Sequence, residues 1–143
     1  ALADTAQALC RPAKLHFVLQ EQWQGQFLCA APELSRALEN MLDNAVRYTP
    51  ADGTVTLTIS KADGDVSFTV ADTGPGFTPE ALHKAGQFLY TDAARPGNGH
   101  QGLGLYLARS VARAHGGNLI VSNDPAAHGA RTELRLPICT NAL

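Results

Sequence analysis

A glycine-rich segment that runs directly into a helical pattern constrains this fold more than any other feature of the sequence. The glycines of this segment are Gly97, Gly99, Gly102 and Gly104. The apolar residues of the helical pattern are Leu103, Leu107 and Val111. The apolar residues recur at helical spacing up to a stop at residues 115–117. Glycine inside a helix costs about 1 kcal/mol relative to alanine, so either a ligand approaches this backbone or the glycines form a loop. A glycine-rich loop before a helix N-terminus presents free N–H groups, and the segment therefore predicts an anion site, with an ordinary flexible loop as the alternative.

Composition indicates a single globular domain. The chain has 143 residues, of which 45% are hydrophobic and 17% charged, so it is long enough for a real core and is not disordered. Its net charge of −2 argues against non-specific binding to nucleic acid or to a membrane surface. Cys10, Cys29 and Cys139 form no CxxC pair and are interpreted as reduced thiols of a cytosolic protein.

The sequence contains no targeting or membrane-spanning signal. No apolar run approaches the roughly 20 residues that a bilayer span requires, and no signal peptide is visible. The chain starts at Ala1 rather than at Met, and we interpret it as a fragment of a longer protein. Any membrane spans are then expected in the missing part.

The patterns along the chain predict more strands than helices. The expected strands are residues 14–20 and 26–30 around a Gln24-Gly25 turn, 55–59 and 66–70 around Asp63-Gly64, 118–122 and 131–136. The expected helices run from Pro32 to Tyr48, over residues 79–84, and from Gly102 to about residue 114. Between the last two, residues 85–101 make a long loop of the kind that often covers a site. Hairpins predominate, so we predict a mostly antiparallel sheet with helices on one face.

The helix that begins at Pro32 carries a polar stripe beside its apolar face. Asn40, Asn44 and Arg47 cluster on one side at about 100° per residue, with Tyr48 at the border of the core. An amide oxygen is a hard neutral ligand suited to Mg²⁺, and an arginine can bind phosphate. The alternative is an ordinary solvated helix face.

The second predicted hairpin ends in an acidic residue followed by two glycines. Asp72 closes a core strand, and Gly74 and Gly76 follow it. This arrangement indicates a turn that another group approaches closely, and Asp72 could accept a hydrogen bond from an exocyclic amine such as that of adenine. The alternative is a simple turn in which Asp72 binds the backbone N–H groups after it.

Together these segments resemble the ATP-binding catalytic domain of sensor histidine kinases, in the superfamily that also includes gyrase and Hsp90 ATPases. Four segments resemble its sequence boxes in order: ENMLDNAVRYTP at 39–50 the N box, ADTGPGF at 71–77 the G1 box, GLGLYLA at 102–108 the G2 box, and GARTELRLP at 129–137 the last box. The resemblance implies an α+β fold of the Bergerat type: a two-layer α/β sandwich whose mixed, mostly antiparallel sheet has about three helices on one face. Residues 1–143 are expected to form one domain, with residues 1–13 a linker remnant and residues 85–101 an ATP lid.

The resemblance also implies a role for each site residue. Asn44 binds Mg²⁺ with the catalytic Asn40 beside it, and the catalytic Arg47 contacts phosphate. The remaining ATP-binding residues form two groups. The residues near the base or sugar are Tyr48, Asp72, Gly74, Gly76 and Thr132. The residues along the phosphates are Gly102, Leu103, Gly104 and Leu105. Asp72 reads the adenine amine, with Gly76 and, through water, Thr132 in support.

The sequence departs from the family pattern chiefly in the lid. Phe88 is present, but Ala85 and Tyr90 replace the other expected lid residues, and His100 replaces a common glycine. Arg95 is a candidate for the arginine of the lid, and Arg131 replaces a glycine of the last box.

The implied function is transfer of the ATP γ-phosphoryl group to a histidine of a separate dimerisation domain, and through it to a response regulator. None of the five histidines has the sequence context of an acceptor. Asn40 occupies the place of the glutamate that activates water in gyrase-like ATPases, which favours a kinase over a hydrolase. The location implied is a cytoplasmic domain of a membrane-anchored sensor, without direct membrane contact. The alternatives are an anti-sigma-type serine kinase and a non-catalytic nucleotide-sensing module.

Overall fold

Five strands form one sheet, and helices pack against it, in the computed structural model, which describes residues 2–25, 27, 29–84, 104–125 and 129–138. In chain order the elements are α1 Leu2–Cys10, β1 His16–Glu21, α2 Ala31–Tyr48, β2 Thr54–Ala62, β3 Asp65–Asp72, α3 Pro79–Lys84, α4 Gly104–Ala114, β4 Asn118–Asn123 and β5 Ala130–Pro137. The strand order is β1-β2-β3-β5-β4. Only the β1–β2 pair is parallel among these described strands, so the sheet is mixed and mostly antiparallel, as predicted.

The two faces of the sheet differ in chemistry because side chains alternate along each strand. Along β3 every second residue is buried, ending with Val70 and Asp72, while the residues between them are half-buried. On the opposite face polar side chains meet across strands, as where the Ser67 hydroxyl donates to Glu133 Oε2 over 2.9 Å. One face therefore carries the core and the other faces outward, which is the predicted two-layer arrangement.

The helical layer is dominated by α2 and α4. Helix α2 buries a continuous apolar side that includes Met41 and Leu42, and α4 buries Ala108 and Ala112. These residues belong to one core with the inward residues of β2, β3 and β5. A smaller cluster, formed by Phe77, Ala81 and Ala130, joins α3 to the sheet. The predicted fold class is confirmed.

The hairpin predicted over residues 14–30 is wrong. Strand β1 instead pairs in parallel with β2, with Phe17 opposite Val55. Among the described residues of the predicted second strand, Phe27, Cys29 and Ala30 lie in no strand. The Phe27 ring packs between the rings of Trp23 and Phe68, with centroids 6.2 Å apart in each pair. The Phe27 ring therefore anchors this segment to the core without strand pairing.

The N-terminal segment, expected as a linker remnant, forms helix α1. Ala6 and Cys10 are 0% and 1% exposed and belong to the main core. Burial raises the pKa of the Cys10 thiol above its ordinary value of 9.0. The segment is thus packed into the domain, and its origin as a linker from an upstream domain stays a prediction.

The remaining predicted elements occur close to their expected positions. The turn between β2 and β3 places Asp63 at φ 54° and Gly64 at φ 82°, the left-handed pair of a two-residue hairpin. Helix α3 covers the expected residues 79–84. The predicted lid, residues 85–101, lies outside the described residues together with Gly102 and Leu103. Its noted residues Ala85, Phe88, Tyr90, Arg95 and His100 therefore stay sequence predictions.

Candidate functional site

The polar stripe of α2 lies along the border between its buried and exposed sides. Because Met41, Leu42 and Ala45 face the core, the residues displaced from them around the helix are only half-buried. These half-buried polar residues are Asn40, Asn44, Arg47 and Tyr48. The structure therefore brings the predicted stripe together on one helix, neither fully solvated nor in the core.

Asn40 faces a groove between α2 and α4. The groove has a volume of about 300 Å³ and is lined by Asn40, Ala37, Leu107 and Val111, among others. The Asn40 Nδ2 atom is buried and has no hydrogen-bond partner among the described residues. A buried donor without an acceptor costs about 1–3 kcal/mol. Its acceptor is therefore expected outside the described residues, in a ligand, in water or in the rest of the chain.

Arg47 is oriented along α2 by a neighbour one turn earlier. Its Nη2 atom lies 3.7 Å from Asp43 Oδ2 in an i,i+4 pair. The side chains of Arg47 and Asp43 are 25% and 38% exposed, so solvent screens the pair and its contribution to stability is small.

Asp72 is the most buried acidic residue among the described residues, with 5% of its surface exposed. Its Oδ1 atom accepts two hydrogen bonds, from the Gly74 N–H over 2.9 Å and from the Ala130 N–H over 3.1 Å. The bond from Gly74 is the turn interaction expected for this position. The second bond, across 58 residues of sequence, ties the carboxylate to β5 and fixes its orientation.

Two glycines allow backbones to meet around Asp72, and a third supplies a left-handed turn in the loop after it. A Cβ atom at Gly129 would lie 1.7 Å from the Asp72 carbonyl oxygen, and one at Gly74 would lie 2.7 Å from the Tyr48 carbonyl oxygen. Gly76 adopts a φ of +78°, in the left-handed region that favours glycine. The loop after Asp72 thus packs directly against the C-terminal end of α2, which joins the two predicted halves of the site.

Thr132 lies on the same face of the sheet as Asp72. It is 3% exposed and pairs with Val70, which is the inward residue before Asp72 on β3. Side chains two residues apart on a strand share a face, so Thr132 and Asp72 are diagonal neighbours. The structure therefore brings together two residues that are 60 positions apart in the sequence.

The N-terminus of α4 begins at the buried Gly104, and Leu105 packs against both apolar clusters. The opposite end of α4 is bonded to the start of α2, because the Ala30 N–H donates to His115 Nε2 over 2.9 Å. Since the end of α4 meets the start of α2, the first turn of α4 lies toward the half of α2 that carries the polar stripe. Of the predicted phosphate-lining residues, Gly104 and Leu105 are placed here, and Gly102 and Leu103 are not described.

Sequence reasoning missed Asn123, which binds the far end of the loop at residues 73–77, here called the Asp72 loop. Its Oδ1 accepts from the Phe77 N–H over 2.7 Å, and its Nδ2 donates to the Phe77 carbonyl over 2.9 Å. It also missed Thr73, whose hydroxyl accepts from the Thr54 N–H over 2.9 Å. Asn123 gave no local signal, because its partner lies 46 residues away.

The donor set of the site fits magnesium only in combination with a ligand. Among the described residues, no group of three or more His, Cys, Asp or Glu side chains could hold a metal ion. Asn44 offers a neutral amide oxygen, and Mg²⁺ characteristically completes such a partial set with water and phosphate oxygens.

No helix in the described part of the chain is long and apolar enough to cross a bilayer.

Comparison with known proteins decides the family. Residues 29–140 match the family described as Histidine kinase-, DNA gyrase B-, and HSP90-like ATPase. The chain belongs to this ATPase family. The family named by the resemblance is thereby confirmed, and the residues of the polar stripe and of the Asp72 loop lie in an ATP-binding domain.

Relatives of this ATPase domain are sensor kinases. It is 40% identical to the sensor histidine kinase SpaK of Bacillus subtilis over 107 residues, which are 73% of this chain and 23% of SpaK. It is 42% identical to the sensor protein QseC of Escherichia coli K12 over 90 residues, which are 63% of this chain and 19% of QseC. The chain thus spans about a fifth of the length of these relatives.

Solved structures share the fold of this ATPase domain over nearly its whole length. The mycobacterial sensor histidine kinase MprB superposes with a TM-score of 0.86 at 27% identity, covering 98% of this chain and 95% of that one. Full-length ShkA, solved in complex with AMPPNP, superposes with a TM-score of 0.82 at 28% identity, covering 99% of this chain and 30% of that one. The domain is therefore a histidine kinase-type catalytic ATP-binding domain.

Proposed function

We propose that this domain transfers the γ-phosphoryl group of ATP to a histidine of a separate dimerisation domain. The observation that carries the proposal is the convergence of three elements in one place. The polar stripe of α2, the fixed carboxylate of Asp72 and the first turn of α4 come together through the Gly74–Tyr48 contact and the α2–α4 pairing. Phosphoryl transfer depends mainly on positioning and on neutralising charge, which such a site supplies.

Each side chain has a role in this proposal. Asn44 holds Mg²⁺, which would neutralise phosphate charge when bound, and Arg47 contacts phosphate. Asn40 donates a hydrogen bond from its buried Nδ2 to a group in the site, which would satisfy an atom that has no partner among the described residues. The base and sugar side is formed by Asp72, Gly74, Gly76, Tyr48 and Thr132, and the phosphate side by the backbone of residues 102–105. The free N–H groups at the start of α4 suit an anion.

Transfer to a protein is favoured over hydrolysis of ATP. An amide cannot accept a proton from water as a glutamate can, and Asn40 occupies the glutamate position of the gyrase-like enzymes. Glu39 is exposed and lies about 100° away around the helix, so it does not face the groove that Asn40 lines. The site is therefore arranged to hold a nucleotide rather than to activate water.

The partners proposed are ATP, the domain that carries the acceptor histidine, and a response regulator that receives the phosphoryl group from it. Sensor kinase names among the relatives support this assignment, although the chain covers only 23% of SpaK and 19% of QseC. Three histidines are described, at His16, His83 and His115, and His115 is engaged with Ala30 and Val111. The parent protein is proposed to be a membrane-anchored sensor with this domain in the cytoplasm.

Incubation with γ-labelled ATP and Mg²⁺ tests the proposal. The chain is incubated alone, with the purified dimerisation domain of its own kinase, and with that domain after its acceptor histidine is replaced by alanine. We expect acid-labile label on the unmodified dimerisation domain alone. An acceptor must come within about 3–3.5 Å of the γ-phosphorus, and positioning supplies most of the catalysis.

Three other results would contradict the proposal. Acid-labile label on the isolated chain would place the acceptor within it. Acid-stable label on a serine of an added protein would favour the serine kinase alternative. Tight ATP binding with no transfer to any unmodified dimerisation domain would favour a nucleotide sensor.

A further inference from the structure

The side chain of Asn123 clamps the end of the Asp72 loop. Its amide makes two hydrogen bonds with the backbone of one residue, accepting from the Phe77 N–H over 2.7 Å and donating to the Phe77 carbonyl over 2.9 Å. A side-chain amide that binds both the donor and the acceptor of one residue fixes that residue in position and in orientation. Phe77 is buried, so water competes poorly for these bonds.

Asn123 and Asp72 flank the same position of β5. Asn123 is the register partner of Ala130, and the Ala130 N–H donates to Asp72 Oδ1. One side chain therefore stands on each side of Ala130, and the loop after Asp72 is bound by both. Asp72 holds its start through the Gly74 N–H, and Asn123 holds its end at Phe77.

Between these two anchors the loop has little freedom. Thr73 is bonded to Thr54 in both directions, through its backbone N–H and its hydroxyl. Pro75 fixes its own φ, and Gly76 holds a left-handed φ of +78°. We therefore expect a shift of Phe77 to be passed back in part to Gly74, whose N–H orients the Asp72 carboxylate.

We propose that Asn123 is a positioning residue for recognition of the nucleotide base, acting through Phe77 and Gly74 on Asp72. The inference rests on the proposed function, in which Asp72 reads adenine. Loss of the clamp frees the end of the loop and loosens the carboxylate. The preference for adenine over guanine then falls, because this preference depends on the direction of the Asp72 acceptor.

The test measures the ratio of ADP to GDP affinity by calorimetry for the intact chain and three variants. Asn123→Ala removes both bonds to Phe77, and we expect the ratio to fall about tenfold. Asn123→Asp keeps the acceptor for the Phe77 N–H and loses only the donor, and we expect a fall of about threefold. Asn118→Ala is the matched control. Asn118 lies at the other end of β4, where its Oδ1 accepts from the N–H of its neighbour Leu119, so this variant should leave the ratio unchanged.

The ratio separates positioning from general destabilisation, since partial unfolding lowers both affinities by the same factor. An unchanged ratio in Asn123→Asp, or an equal fall in Asn118→Ala, would overturn the inference and leave the role of Asp72 intact. Equal affinities for ADP and GDP in the unmodified chain would overturn the Asp72 assignment and the inference with it. Should Asn123→Ala fail to fold, Asn123→Asp decides alone.

Discussion

Asp72 is held in one orientation by the backbone around it. Two backbone N–H groups, from Gly74 and Ala130, bind the same oxygen atom. Their bonds fix the plane of the carboxylate and offset part of the cost of burying it. A group held this rigidly loses little entropy on binding, so its hydrogen bond can discriminate between ligands.

Replacing Asp72 by asparagine tests this recognition directly. In Asp72→Asn the amide oxygen can still accept from Gly74 and Ala130, so we expect the fold to persist. The other carboxylate oxygen becomes an amide NH2 group, which donates and cannot accept from adenine, and a mismatch of this kind costs about 1–3 kcal/mol. The ADP-over-GDP preference should fall about 5- to 150-fold in calorimetry, with an unchanged melting temperature as the control. A variant that keeps the full preference would leave Asp72 as a turn residue only.

Replacing Asn44 by alanine tests its proposed role as a ligand of Mg²⁺. Asn44→Ala removes the proposed amide ligand from a half-buried position and should leave the α2 core in place. We expect nucleotide affinity to lose its dependence on Mg²⁺ while affinity without Mg²⁺ changes little, as measured by calorimetric titration with and without the ion. Ser35→Ala, on the exposed side of the same helix, serves as the control. Equal Mg²⁺ dependence in Asn44→Ala and the unmodified chain would remove Asn44 from the metal site.

At the scale of elements, an imidazole ring links α4 to the start of α2, in addition to the core that the two helices share. His115 Nε2 accepts from the Ala30 N–H over 2.9 Å, which requires the proton to lie on Nδ1. His115 Nδ1 then donates to the Val111 carbonyl over 2.8 Å. The ring thus joins the last turn of α4 to the residue before α2 and contributes to the alignment of the two helices.

Removal of this ring should destabilise the helix pair. His115→Ala deletes two hydrogen bonds, each contributing about 0.5–1.5 kcal/mol, and we expect the free energy of unfolding to fall by about 1–3 kcal/mol. Urea unfolding followed by circular dichroism provides the measurement. His83→Ala, at an exposed position of α3, should change stability by less than about 0.5 kcal/mol. A fall of the same size in both variants would contradict the role given to the His115 bonds.

Elements that depend on local sequence were predictable, and contacts between distant segments were not. The β2–β3 hairpin was predicted because Asp63-Gly64 supplies the two left-handed residues that its turn needs. The parallel partner of β1 was missed because β2 lies on the far side of α2 in the sequence, and no local pattern encodes so distant a pairing. The stripe on α2 followed from helical periodicity, whereas the Asn123 clamp depends on the register of β4 with β5.

At the scale of the whole molecule, the main core of the described residues includes the N-terminal helix. Cys10 is 1% exposed, and burial raises the pKa of its thiol. The folded state therefore keeps the proton at a pH where the unfolded chain has begun to lose it. Below the ordinary value of 9.0 both states are protonated, and above it the unfolded state is increasingly favoured.

Stability should accordingly fall as the pH rises above about 9, through the window between the unfolded pKa and the raised folded pKa. The free energy of unfolding in urea, measured from pH 7 to 10.5, provides the test. Cys10→Ala abolishes this contribution, so its stability should depend less steeply on pH than that of the unmodified chain. Identical slopes in the two proteins would show that the Cys10 thiol does not titrate differently on folding.

The strand order also sets the sequence of events by which the chain can fold. Strands β2 and β3, and β4 and β5, are neighbours in both sequence and sheet, so each pair is a local hairpin that can form in microseconds. The pairing of β3 with β5 joins these hairpins and must close the chain between residues 72 and 130. Non-local closure of this kind slows folding, yet each doubling of loop length adds only about 0.6 kcal/mol. Insertions or deletions within residues 85–103 should therefore change the folding rate only modestly and leave the sheet in place.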